Sequence, residues 1–80
     1  MVKSKYLTVQ LDWDERIRCM ESDLENGFFD FLYFKIAVNM IDARDNADYD
    51  RETLLVKMME SFKENDFEHI HNLIQRLKNI

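Results

Sequence analysis

Apolar residues in this chain recur mostly at steps of three and four. Tyr6, Val9, Trp13, Ile17, Met20 and Leu24 fall within roughly 80° of arc at about 100° per residue, which predicts one helix over residues 6–26. A second period competes at its start. Leu7, Val9, Leu11 and Trp13 alternate, so a strand over 6–11 followed by a helix from Asp14 is the alternative. The helix is expected to stop at Glu25-Asn26-Gly27, because a glycine there can adopt the left-handed conformation.

Phe28–Ile41, FFDFLYFKIAVNMI, is the most apolar stretch: eleven of its fourteen residues are apolar and five are aromatic. Its length and its lack of turn residues predict a helix over 28–43. One polar stripe, Lys35, Asn39 and Asp42, lies at i, i+4 and i+7. A helix apolar on most sides is covered on most sides, so this one is expected to be the most buried. A strand over 28–38 is the alternative, because Leu32, Phe34, Ile36, Val38 and Met40 also alternate.

Residues 43–50, ARDNADYD, have loop composition, and Asp48 or Asp50 can cap the next helix. This third helix is expected over 51–64, with Leu54, Leu55, Met58, Met59 and Phe62 inward. Asn65 and Glu68 fit a capping box. They start a fourth helix over 66–79, whose apolar face is Phe67, Ile70, Leu73, Ile74 and Leu77. The last two helices form an αα-hairpin with a turn of one or two residues. The fold class expected is therefore all-α, four helices in a single domain spanning 1–80, with an α+β arrangement as the alternative.

Composition sharpens this picture. With no proline and one glycine, Gly27, the chain lacks the residues that tight β-turns use. Eighty residues form one small core, yet six phenylalanines, three tyrosines and one tryptophan must be housed. Some apolar surface is therefore expected outside, and a large exposed apolar patch marks an interface. Trp13, Phe28, Phe29 and Phe31 are the expected self-association residues, and a homodimer the expected assembly.

Charge is uneven. Residues 1–11 carry +2, residues 12–52 carry −7 and residues 53–80 are neutral, which gives the net −5. If the first helix and the 42–52 loop lie side by side, Asp14, Glu21, Asp23, Glu25, Asp45, Asp48 and Asp50 would form an anionic face able to steer a basic protein. An acidic helical surface of this size can also mimic nucleic acid and so inhibit an enzyme. The rival reading is a helix-turn-helix in 51–79 offering His69, Asn72, Gln75 and Arg76 to base edges. Phosphate contacts would there begin from repulsion, since residues 53–80 have no net positive charge.

Candidate chemistry adds little. His69 and His71 stand two apart and point about 160° from each other on a helix, so they do not share a metal. No register of the aspartates around 42–52 makes a calcium loop: from Asp48 the sixth residue is Thr53 and the twelfth Met59. Without a phosphate loop or a nucleophile motif, no catalytic, metal or cofactor residues are expected, and the chain is read as a non-enzyme. The lone Cys19 allows no intrachain disulfide, which suits a reducing cytoplasm. No targeting segment is read at the start, and the central run is too short for a bilayer, which needs about 20 apolar residues. The function expected is a small acidic protein-binding module: a regulator, adaptor or inhibitor.

Overall fold

The computed structural model describes residues 11–80. Four helices follow one another: α1 (Trp13–Asn26), α2 (Phe29–Asp45), α3 (Tyr49–Lys63) and α4 (Phe67–Leu77). Each packs on its neighbour in sequence and α1 also packs on α4, closing a ring of the up-down-up-down kind that short connections impose. There is no strand among the described residues, so the strand over 28–38 is replaced by helix, as length and missing turn residues favoured. The strand alternative at 6–11 lies almost wholly outside the described residues.

Helix α1 begins at Trp13 rather than at residue 6. Asp12 is its N-cap, extended in backbone (φ −74°, ψ 169°), and its side chain accepts from the Glu15 N–H at 3.0 Å. An aspartate is a strong N-cap because it satisfies one of the helix's orphan donors, and this local bond sets the start of α1; residues 6–10 of the expected helix lie outside the described residues.

All the connections between helices use one device. After α1 the Gly27 N–H bonds to the Leu24 carbonyl and the Phe28 N–H to that of Asp23. After α2, Ala47 and Asp48 bond likewise to Arg44 and Ala43, and after α3, Asn65 and Asp66 to Phe62 and Ser61. This is the Schellman arrangement, which needs a left-handed residue; Gly27, Ala47 and Asn65 have φ of 74°, 57° and 56°. Asp48 and Asp66 then cap the next helix through Arg51 and His69. The fourth helix is thus capped by Asp66, not Asn65, and the α3–α4 turn is longer than expected. Asn65 is spent on the left-handed position, which asparagine tolerates. Likewise α2 runs on to Asp45, leaving 46–48 rather than 43–50 as loop.

Ala47 is the costly member of the set, since a Cβ in the left-handed region costs about 1–2 kcal/mol. Ala47→Gly is expected to stabilise the fold by up to about 1 kcal/mol after the glycine's own entropy is deducted; an unchanged or lower urea midpoint would contradict this.

The core forms where the inner faces meet: Ile17 and Met20 of α1, Leu32 and Ile36 of α2, Leu55 and Met58 of α3, and Ile70, Leu73, Ile74 and Leu77 of α4 are all 4% exposed or less. The α4 face follows the i, i+3, i+4, i+7 pattern read from the sequence.

Helix α2 departs from expectation. It is not the most buried helix: Phe29, Phe31, Tyr33, Phe34 and Ile41 are 37–64% exposed. Its polar stripe faces inward instead. Asn39 is fully buried, and Lys35 Nζ lies 2.6 Å from Asp23 Oδ2 while Arg16 Nη1 lies 2.8 Å from Asp42 Oδ2. The cause sits on α1, where Arg16 and Asp23 flank the apolar arc and are each 7% exposed. Charges taken out of water need partners, and leaving one unpaired costs several kcal/mol. Lys35 and Asp42, seven apart on α2, meet Arg16 and Asp23, seven apart on the antiparallel α1. The rotation that makes these pairs turns the opposite, aromatic side of α2 outward.

Candidate interaction surface

The outward side of α2 carries Phe31, Phe34, Val38 and Ile41, which fall within about 80° of arc, opposite the buried Leu32, Ile36, Asn39 and Ala43. Phe31 is 64% exposed and Ile41 50%. At the α2 N-terminus Phe28, itself half exposed, meets Phe31 edge to face at 6.1 Å. Around the corner Phe29 stacks on Phe67 at 4.4 Å, and Phe62 sits edge-on to Phe67 and to Tyr33 at 5.5 and 5.2 Å. The aromatic surface therefore runs along α2 and over the end of the bundle where α3 turns into α4.

The expected self-association residues occupy different places. Phe28 and Phe31 lie on this surface, and Phe29 lies at its edge against α4. Trp13 does not join them: it is half-buried against the core, with the guanidinium groups of Arg16 and Arg51 at 4.3 and 4.8 Å from its ring.

The acids are also divided. Trp13–Arg51 and Arg16–Asp42 hold the start of α1 against the α2–α3 connection, so the exposed Asp14, Asp45 and Asp50 share one end of the bundle. Glu25 is exposed but stands at the other end of α1, about 16 Å of helix rise from Asp14. Asp23 is buried against Lys35. Asp48 caps α3 and pairs with Arg51 at 2.7 Å. Glu21 accepts from Gln75 and from Lys78, both at 2.9 Å, and so ties α1 to the C-terminal end of the chain. One anionic end and one aromatic side emerge, rather than a single acidic face.

The hydrogen bond from Gln75 and then that from Lys78 hold the Glu21 carboxyl below the ordinary glutamate range, against a smaller opposing effect of desolvation. A carboxyl whose pKa is lower folded than unfolded stabilises the fold above its unfolded pKa, and that contribution is lost as pH falls through the folded value. Glu21→Gln is expected to remove this part of the acid limb, so that variant and parent converge in urea stability as pH drops below about 4. A constant difference from pH 7 to pH 3 would contradict it.

Phe34, Val38 and Ile41 are not among the expected self-association residues, although their 3-4-3 spacing with Phe31 is visible in the sequence. His69 and His71 are exposed, and Ser61 Oγ lies 2.8 Å from His69 Nδ1. Among the described residues no group of three or more His, Cys, Asp or Glu side chains could hold a metal, and no helix is long and apolar enough to cross a membrane. Comparison with protein-family models, with curated proteins and with solved structures finds no match to this chain.

Proposed function

We propose that this chain is a small protein-binding module, a regulator, adaptor or inhibitor acting in the cytoplasm, which associates through the outer side of α2 and attracts a basic protein to its acidic end. The observation that carries the reading is the orientation of α2. Its polar stripe is taken up by Arg16 and Asp23, while Phe28, Phe31, Phe34 and Ile41 are each 45% exposed or more. A row of half-exposed apolar side chains of this kind marks an interaction surface. The exposed acids at the 45–50 connection and Asp14 add a field that speeds encounter with a basic surface, more than they add affinity.

The helix-turn-helix reading draws less support, because two of the side chains it would offer to bases are occupied. Gln75 is bonded to Glu21 and His69 to Ser61.

Charge reversal at Asp45 and Asp50 tests the acidic end, whereas reversal at Glu21 or Asp23 would disturb the fold itself. In affinity capture from an extract of the source cell, the parent should retain a protein whose recovery falls with salt. Asp45→Lys with Asp50→Lys should reduce that recovery and flatten its salt dependence, and Ile41→Lys should reduce it at all salt concentrations. Equal recovery by parent and both variants would sink the reading.

A further inference from the structure

The outward seam of α2 reads the same in both directions. Phe31, Phe34, Val38 and Ile41 are separated by three, four and three residues. Turning the helix end over end about a point near residue 36 therefore sets Phe31 opposite Ile41 and Phe34 opposite Val38. This is the register of an antiparallel helix pair with two-fold symmetry, in which one patch serves both partners.

The flank of the seam adds charge to shape. Asp30, Ala37 and Arg44 succeed one another at intervals of seven along the side away from α1. The centre of this row, Ala37, stands one residue, about 1.5 Å of helix rise, from that of the seam. Under the same two-fold, Asp30 therefore falls beside Arg44 of a second copy at each end, and Ala37 beside its own counterpart in the middle, where a small side chain permits close approach. Asp30 is exposed. The Arg44 side chain is 55% exposed, and its bond to Glu52 uses only Nε, which leaves its terminal nitrogens as further donors. The other flank, Lys35 and Asp42, is already turned onto α1, so a partner helix is offered one charged edge and not two.

We infer that the occupant of this face is a second copy of the chain, with the two α2 helices paired antiparallel through Phe31–Ile41 and Phe34–Val38 layers and closed by two Asp30–Arg44 pairs. The inference rests on the proposed role of α2 as an association surface and names what covers it. In such a dimer the acidic ends lie at opposite extremities, so the assembly presents a basic partner with two separate sites instead of one. A partner bearing two basic surfaces would then gain from avidity.

Sedimentation equilibrium of the full chain, from nanomolar to high micromolar concentration, is the test. The expected result is a monomer–dimer equilibrium. Asp30→Arg and Arg44→Asp should each raise the dissociation constant about tenfold or more, because each sets like charges against one another. The double variant should return to within about threefold of the parent. A monomer throughout, or a dimer indifferent to the charge swap, overturns the inference. A photo-cross-linking residue in place of Val38, in the source-cell extract, separates this failure from that of the wider reading. A product of twice the chain mass containing only this sequence supports the inference. A cross-link to a different protein, or one within a single chain, overturns it, the former leaving the protein-binding reading intact. No cross-link at all removes both.

Discussion

Arg16→Ala is expected to cost about 3–5 kcal/mol of stability, the range for breaking a buried pair by removing one partner. Arg16 serves several groups at once. Its Nη1 donates to Asp42 at 2.8 Å and reaches Asn39 Oδ1 at 3.4 Å, its Nε donates to the Leu11 carbonyl, and its guanidinium covers the Trp13 ring at 4.3 Å. Truncation leaves Asn39, which is fully buried, without that donor and uncovers one side of Trp13. A domain of this size has a total stability of about 4–12 kcal/mol, so the loss is a large part of the whole. Urea unfolding followed by circular dichroism gives the number. Pairing Arg16→Ala with Asp42→Ala in a double-mutant cycle isolates their coupling, expected within about 0.5–3 kcal/mol. A cost for Arg16→Ala below about 1 kcal/mol, the size of a surface ion pair, would mean that α1 and α2 are not held together by this group.

Two isoleucines on the same helix are expected to behave oppositely. Ile36 is fully buried and Ile41 is 50% exposed. Ile36→Ala should cost about 2–5 kcal/mol through lost burial and the cavity it leaves. Ile41→Ala should change monomer stability by no more than about 0.5 kcal/mol when measured at concentrations below any self-association. Read from the sequence alone, the two residues are equivalent members of one greasy run, and a helix covered on all sides would penalise both. Comparable losses at the two positions would place the outer face inside the fold.

What was legible in the sequence divides along physical lines. Local signals could be read directly: Gly27 as the stop of α1 and the Ile70–Leu77 face of α4 stand where the pattern put them, and Asp48 is one of the two aspartates expected to cap α3. Each is decided by neighbours a few residues away. Ala47 was missed because a left-handed alanine arises from the hydrogen bonds around it and not from its side chain. Asp12 was passed over because the apolar period continues through it, although its cap to Glu15 wins locally. Longer range defeated the reading of α2. Its polar stripe was plain, but whether that stripe faces water or another helix depends on Arg16 and Asp23, twelve or more residues upstream. Those two were hidden as ordinary charged residues beside the apolar arc of α1. The scattered site comes from the same gap. Asp23 and Glu21 read as free surface acids, yet Lys35 and Lys78 claim them, and Asp48, read both as a cap and as part of the acidic face, pairs with Arg51.

The orientation of α2 underlies both the stability arguments and the interface, and thiol protection measures it directly. In a Cys19→Ser background, Asn39→Cys and Ile41→Cys introduce a single thiol on opposite sides of the helix, to be modified at protein concentrations too low for self-association. Ile41→Cys should react near the rate of a free thiol and Asn39→Cys about 100-fold more slowly or less, limited by opening of the bundle. Equal rates would contradict this orientation, and faster modification at position 39 than at 41 would show that the polar stripe faces solvent and the aromatic side faces the core.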